Sequence, residues 1–300
     1  MRVHHLNCIS ACPLGGLLMD GFTHDALRGR LTSHCLLVEC SAGLVLVDTG
    51  YGLRDVADPR SRLARFFLFM NKPELREEMT AIRQIRRLGF DPRDVRHVVL
   101  SHLDFDHAGG LDDFPWATVH MLGRERAAAE AQRTTLDRLR YRPAQWHTRA
   151  MWRTYDVEDG DRWFGFDRVR ALDGAPPEVL LVPLVGHTLG HAGVAVQGEA
   201  GRWLLYAADA YFFHTEMDVE RPRCTPGLRF YQTLMEKDRR MRLLNQRRLR
   251  ELRREHGDQV ELFCAHDVVE FERASGRSHL EPASARPGSI RTTEPALGPT

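Results

Sequence analysis

Between positions 100 and 115 the chain reads LSHLDFDHAGGLDDFP, which sets His102, Asp104, Asp106 and His107 within six positions and follows them with Gly109 and Gly110. Imidazole and carboxylate groups are ligands of divalent transition metals, and a loop leaving a strand end can turn several of them toward one point. The glycines let the backbone bend sharply or approach an ion closely. The alternative is that these residues merely cap and turn the chain after a strand. Three distant stretches weigh against it. VGHTLGH holds His187 and His191 among glycines, LLYAADAYF carries an apolar run to Asp209, and LFCAHD ends another on His266. A carboxylate at the end of a buried strand is costly unless paired or placed on a metal. Gathered at successive strand ends along one sheet edge, such residues form a site.

The elements that must carry them are legible as hydrophobic runs. HCLLVEC and GLVLVDTG read as two strands joined by a glycine turn, and RHVVLSH as a buried strand running straight into the His/Asp loop. EVLLVPLV, GVAVQ, RWLLYAAD and QVELFCAHD follow. Amphipathic helices lie between: PELREEMTAIRQIRRLGF has a proline near its start, arginines in its last turn and a glycine beyond, the layout of one helix, and a polar helical stretch spans about 124–140. The fold class is therefore α/β. From Phe230 to His256, a segment that includes RRMRLLNQRRLRELRRE, Leu234, Met241, Leu244 and Leu252 share one face, with Arg239, Arg247, Arg250 and Arg254 opposite. With a net charge of +1, this reads as a solvated outer face, not a nucleic-acid surface.

Three hundred residues, 43% hydrophobic and 28% charged, suit one large domain, assigned to 1–273, with 274–300 as a disordered tail rich in Pro, Ser, Gly and Thr. The six cysteines include no C-x-x-C pair and read as reduced thiols. Apolar runs such as FFLFM are far too short to span a bilayer, and the N-terminus lacks a signal layout, so a cytoplasmic protein without nucleic-acid or membrane partners is expected.

Taken in order, VDTG, SHLDFDHAGG, GHTLGH, AADAYF and AHD resemble the metallo-β-lactamase-fold hydrolases, among them glyoxalase II, quorum-quenching lactonases and ribonuclease Z. The resemblance covers roughly 36–267 and implies a four-layer αββα sandwich with a metal centre at one edge. It implies that His102, Asp106 and His107 match the family's H-x-H-x-D-H loop, that His191 is the next ligand, Asp209 the bridging carboxylate and His266 the last histidine. His187 is read as a turn or supporting residue, and Asp48 as support from behind the ligands. Asp104 departs from the family histidine. It either ligates or hydrogen-bonds, and ligation is preferred because it alternates on one face with His102 and Asp106.

On that reading, one ion takes His102, Asp104, His191 and Asp209, and the other Asp106, His107, His266 and Asp209. Two divalent ions, zinc first with iron or manganese as alternatives, would bring a bridging water's pKa toward ~7 and supply a hydroxide nucleophile. Asp106 would take or steer the proton, and Tyr211 would either hydrogen-bond the substrate carbonyl or leaving group or simply pack beside Phe212 and Phe213. The expected activity is hydrolysis of a lactone, ester, thioester or amide. A phosphodiesterase or nuclease of the same fold and a redox di-iron protein are the alternatives. Three carboxylates and a hydroxide make two divalent ions formally neutral, which argues for neutral substrates over phosphodiesters. The insertion YRPAQWHTRAMWRTY is positioned to cover the metal edge, and ARFFLFMNK to shape a pocket or meet a second subunit in a homodimer.

Overall fold

Twelve strands form two six-stranded sheets in a computed structural model that describes all residues except 25, 41–42, 148–150, 157, 159, 199–200 and 285–300. The strands are β1 (Arg2–Asn7), β2 (His34–Cys40), β3 (Gly43–Val47), β4 (Val95–Val99), β5 (Thr118–Leu122), β6 (Trp152–Tyr155), β7 (Asp161–Trp163), β8 (Phe166–Ala171), β9 (Val179–Pro183), β10 (Ala192–Gln197), β11 (Trp203–Tyr206) and β12 (Val260–Phe263). The first sheet runs β1 to β6 in order, antiparallel through β3 and parallel from there on. The second is ordered β12-β11-β10-β9-β8-β7, with only β11 and β12 parallel.

Alternation along the strands builds the layers. In β2 and β3, Leu36, Val38, Val45 and Val47 point into the space between the sheets and meet Val179, Leu181, Val194, Val196 and Phe263. The intervening residues Leu37, Leu44 and Leu46 face outward, onto the helix Ala81–Arg87 through Ile82 and Ile85. Outside the second sheet, Val182, Ala195, Leu205 and Leu262 pack on Leu249 and Leu252 of the helix Arg239–His256. Each fully buried aliphatic side chain contributes about 1.5–3 kcal/mol, so both faces of both sheets are needed to hold the stack. The order of layers is helix, sheet, sheet, helix, as the resemblance implied.

Several local expectations are corrected. The stretch from Pro73 to Leu88 is not one helix: a tight turn at Glu77–Met79 precedes the helix, and Thr80 between them is extended. Gln132, with φ 40°, splits the polar stretch into Gly123–Ala131 and Thr135–Arg140. The arginine-rich helix buries Arg242, Asn245, Gln246, Leu249 and Leu252, while Leu234 and Leu244 are exposed. Its inner face is rotated because its polar residues tie down loops: Asn245 donates to the Val185 carbonyl at 2.8 Å and Gln246 to that of Ala210 at 3.0 Å. The domain does not end at 273. The Asn7 amide donates to the His279 carbonyl at 2.7 Å, and the Ala283 N–H to Gln84 at 2.8 Å. The rest of the expected tail, 285–300, lies outside the described residues. Among the described residues no helix is long and apolar enough to cross a membrane, and all six cysteines are unpaired.

Candidate metal centre

The C-terminal ends of β3, β4, β11 and β12 and the loop between β9 and β10 converge on one edge of the sandwich. Asp48, just past β3, sits in the left-handed region at φ 53°, which a short polar side chain tolerates better than a branched one. That turn aims its carboxylate at four donors: the Ser101 N–H (2.8 Å) and Oγ (2.6 Å), His107 Nδ1 (2.7 Å) and the Tyr206 hydroxyl (2.8 Å). Ser101 Oγ, having given its proton to Asp48, accepts from His102 Nδ1 at 2.9 Å. One carboxylate therefore fixes the tautomers of two histidines, leaving the lone pairs of His102 Nε2 and His107 Nε2 directed inward. His266 is oriented in the same way, its Nδ1 held on the Thr32 carbonyl at 2.7 Å.

Asp209 lies where these nitrogens meet. Its Oδ1 is 3.2 Å from His107 Nε2 and 3.1 Å from His266 Nε2, and its Oδ2 is 3.3 Å from His187 Nε2 and 3.7 Å from His102 Nε2. One oxygen faces each side. His102, Asp104, His187 and Asp209 form one compact group, and Asp106, His107 and His266 another. His102 Nε2, His107 Nε2 and Asp209 Oδ1 are buried without a hydrogen-bond partner. Buried polar atoms are otherwise almost always satisfied, so the donor set and its orphaned lone pairs fit divalent ions. Burial alone would depress the His107 pKa, but the carboxylates of Asp209 and Asp48 hold it well above the ordinary imidazole value. Ion uptake at this side must then release protons.

The structure moves two of the sequence assignments. His191, expected to face the ions, has both ring nitrogens engaged: Nδ1 donates to the Leu184 carbonyl at 2.9 Å, and Nε2 accepts the Asp209 N–H at 3.0 Å. His187 stands in the group instead. Tyr211, expected beside the substrate, points into the core behind the site and donates to Glu270 Oε1 and Oε2 at 3.1 and 2.9 Å. Gly109 is helical, with φ −58°, so it does not mark a sharp turn. A Cβ there would come within 2.2 Å of Asp55 Oδ2, so the need is for space.

Three residues had no sequence signal. Buried Glu125 accepts from the Leu103 N–H (3.1 Å), Thr188 Oγ1 (2.5 Å) and the Gly190 N–H (3.1 Å), tying the two histidine loops together. Tyr231, on the helix Pro226–Met235, lines a small cavity with Asp106 and His266, its other lining residues being Asn71 and the apolar Ala11, Pro13, Met19, Leu31 and Phe212. Arg140, fully buried at the end of the helix Thr135–Arg140, grips Asp104 with Nε on Oδ1 at 2.6 Å and Nη2 on Oδ2 at 2.5 Å. Burial would raise the Asp104 pKa, but the guanidinium, with His102 and His187, holds it well below the usual carboxylate range. The formal neutrality inferred from three carboxylates therefore does not hold, because Arg140 restores the positive unit that Asp104 removes.

A profile of the metallo-beta-lactamase superfamily matches residues 28–249. A probable metallo-hydrolase of Mycobacterium tuberculosis is 40% identical over 277 residues, 91% of this chain and 83% of the relative. An N-acyl homoserine lactonase of a Bacillus species is 26% identical over 218 residues, 70% of this chain and 78% of that one. Among solved structures, an N-acyl homoserine lactone hydrolase with N-hexanoyl-L-homoserine bound at its catalytic metal centre superposes with a TM-score of 0.67 at 22% identity, over 93% of this chain and 97% of that one. The helix-sheet-sheet-helix stack, the His/Asp clusters at its edge and these matches lead to one assignment: the chain is a metal-dependent hydrolase and belongs to the metallo-beta-lactamase superfamily.

Proposed function

We propose that the protein is a dinuclear hydrolase of carbonyl compounds, with lactones and simple esters ahead of thioesters and amides. The observation that carries this reading is the position of Asp209, with one carboxylate oxygen toward each histidine cluster. When bound, two divalent ions supply a water of pKa near ~7 and polarise the substrate carbonyl. The protein's own groups do the rest. Asp106, which lines the cavity, takes or steers the proton. The Tyr231 hydroxyl takes the role first assigned to Tyr211, donating to the carbonyl or leaving oxygen. The apolar walls favour a neutral acyl group and exclude water. Kinship with homoserine lactonases supports the lactone, and the apolar lining of the cavity replaces the charge argument as the reason to rank phosphodiesters lower. Zinc is the first choice of ion. The extra carboxylate at Asp104 gives manganese and iron a better footing than an all-histidine set would.

The test is a panel of lactone, aryl ester, thioester, amide and phosphodiester substrates with metal-stripped and reloaded protein. Metal-dependent lactone or ester turnover, at least ~10-fold above the phosphodiester in kcat/KM, is expected. Phosphodiester turnover as the dominant activity would overturn the proposal.

A further inference from the structure

All five N–H donors of Arg140 are spent inside the protein. Nε and Nη2 hold Asp104, Nη2 also meets His187 Nε2 at 2.7 Å, and Nη1 donates to the Met235 carbonyl at 2.7 Å and toward that of His187 at 3.4 Å. No donor is left for a substrate, so Arg140 does not bind one. Its contact with His187 is the informative one. To accept from a guanidinium, His187 Nε2 must present its lone pair, and that is the same lone pair it would give an ion. The Asp104 oxygens are likewise shared between Arg140 and the group that faces Asp209.

We propose that Arg140 is a resident cation that makes the two sites unequal: the site of Asp106, His107 and His266 fills first, and the site of His102, Asp104 and His187 fills second and more weakly. The inference rests on the dinuclear reading above. In the metal-free protein Arg140 neutralises Asp104 and keeps His187 in the tautomer an ion needs. When an ion arrives, it meets a fixed positive charge beside two of its ligands and must displace the Arg140 hydrogen bond from His187. The contacts of His107 and His266 are to the carboxylates of Asp209, Asp48 and Asp106 and to the Thr32 carbonyl, with no guanidinium among them in the described residues. Arg140 is thus a positioning residue, acting on metal loading through Asp104 and His187.

The experiment is calorimetric titration of zinc, and separately manganese, into metal-stripped wild type, Arg140→Met and Arg140→Lys, with melting temperatures at each stage. Wild type should show two ions with affinities at least ~10-fold apart. Arg140→Met should tighten the weaker ion at least ~10-fold while leaving the tighter one unchanged. Its metal-free form should melt lower than wild type and gain more on adding metal, because the ion replaces the lost countercharge of Asp104. Arg140→Lys retains a cation but cannot span both oxygens and His187, so it should fall between the two and serves if the methionine variant does not fold. Equal affinities in wild type, or a weaker ion that neither variant tightens, would overturn the inference with two ions still bound. One ion in all three proteins would overturn it together with the dinuclear reading.

Discussion

On one side of Asp209, His102, Asp104 and His187 are buried, and Asp104 and His187 share a guanidinium. On the other, Asp106 and His266 are also buried but line a small cavity together with Tyr231 and apolar side chains. The side of His102, Asp104 and His187 is held by long-range ties: Arg140 from the helix Thr135–Arg140, Glu125 joining two loops, and the C-terminal carbonyl of the helix that carries Tyr231. On the proposed function, the side that adjoins this cavity is the open side, from which a substrate would reach the centre. The contrast suggests a division of labour, in which one half of the site fixes charge and geometry and the other meets the reacting carbonyl.

Removing the residue both halves share disturbs the centre most. Asp209→Ala should lose metal on both sides and lower kcat/KM by more than ~100-fold, checked by elemental analysis alongside kinetics. Loss of metal from one side only would show that the halves are independent. Asp48→Asn comes next. Its carboxylate orients His107 directly and His102 through Ser101, one histidine on each side, so both affinities should weaken by about 10–100-fold. If only the His107 side responds, Ser101 holds His102 unaided.

Tyr231→Phe sharpens the contrast from the open side. Metal content should be unchanged and kcat/KM should fall by about 10-fold, whereas Tyr211→Phe should affect stability and leave turnover near wild type. The smallest effect concerns Glu270, behind the open side, whose carboxyl is pushed up to about 7 by burial and by Asp267. Its ordinary value is 4.5, so between the two the folded state holds a proton that the unfolded chain releases. This group's contribution to stability is therefore present at low pH and is lost as pH rises through about 7. Melting temperatures across that window should slope less for Glu270→Gln; an unchanged slope would assign the pH dependence to other groups.

Much of this organisation was legible in the sequence, for physical reasons. Fully buried strands such as β2, β3 and β9 appear as apolar runs because both their faces are covered. The strands that went unread, β1 and β5 to β8, are short or half polar: β7 is DRW and β6 is WRTY, and neither has enough apolar residues to show a period. The strand-end carboxylates and histidines were visible because they contradict their apolar surroundings. The choice between His187 and His191 was not, since both sit in GHTLGH and only the folded backbone decides which ring spends its nitrogens on Leu184 and Asp209. Tyr211 misled because the chain is extended there, with φ −152°, which carries its ring to the far side of Asp209. Arg140 was hidden among ordinary helix-surface arginines. Its role depends on an antiparallel bridge between Tyr141 and Asp104 that no local pattern encodes.

Anomalous diffraction at the zinc edge, from crystals given limiting and then excess zinc, shows which side of Asp209 fills first. The account predicts a first peak between Asp209 and the pair His107 and His266, then a second on the opposite oxygen of Asp209 beside His102 and His187. A single peak at excess zinc, or a second peak coordinated by His191 with His187 still held on Arg140, would contradict it.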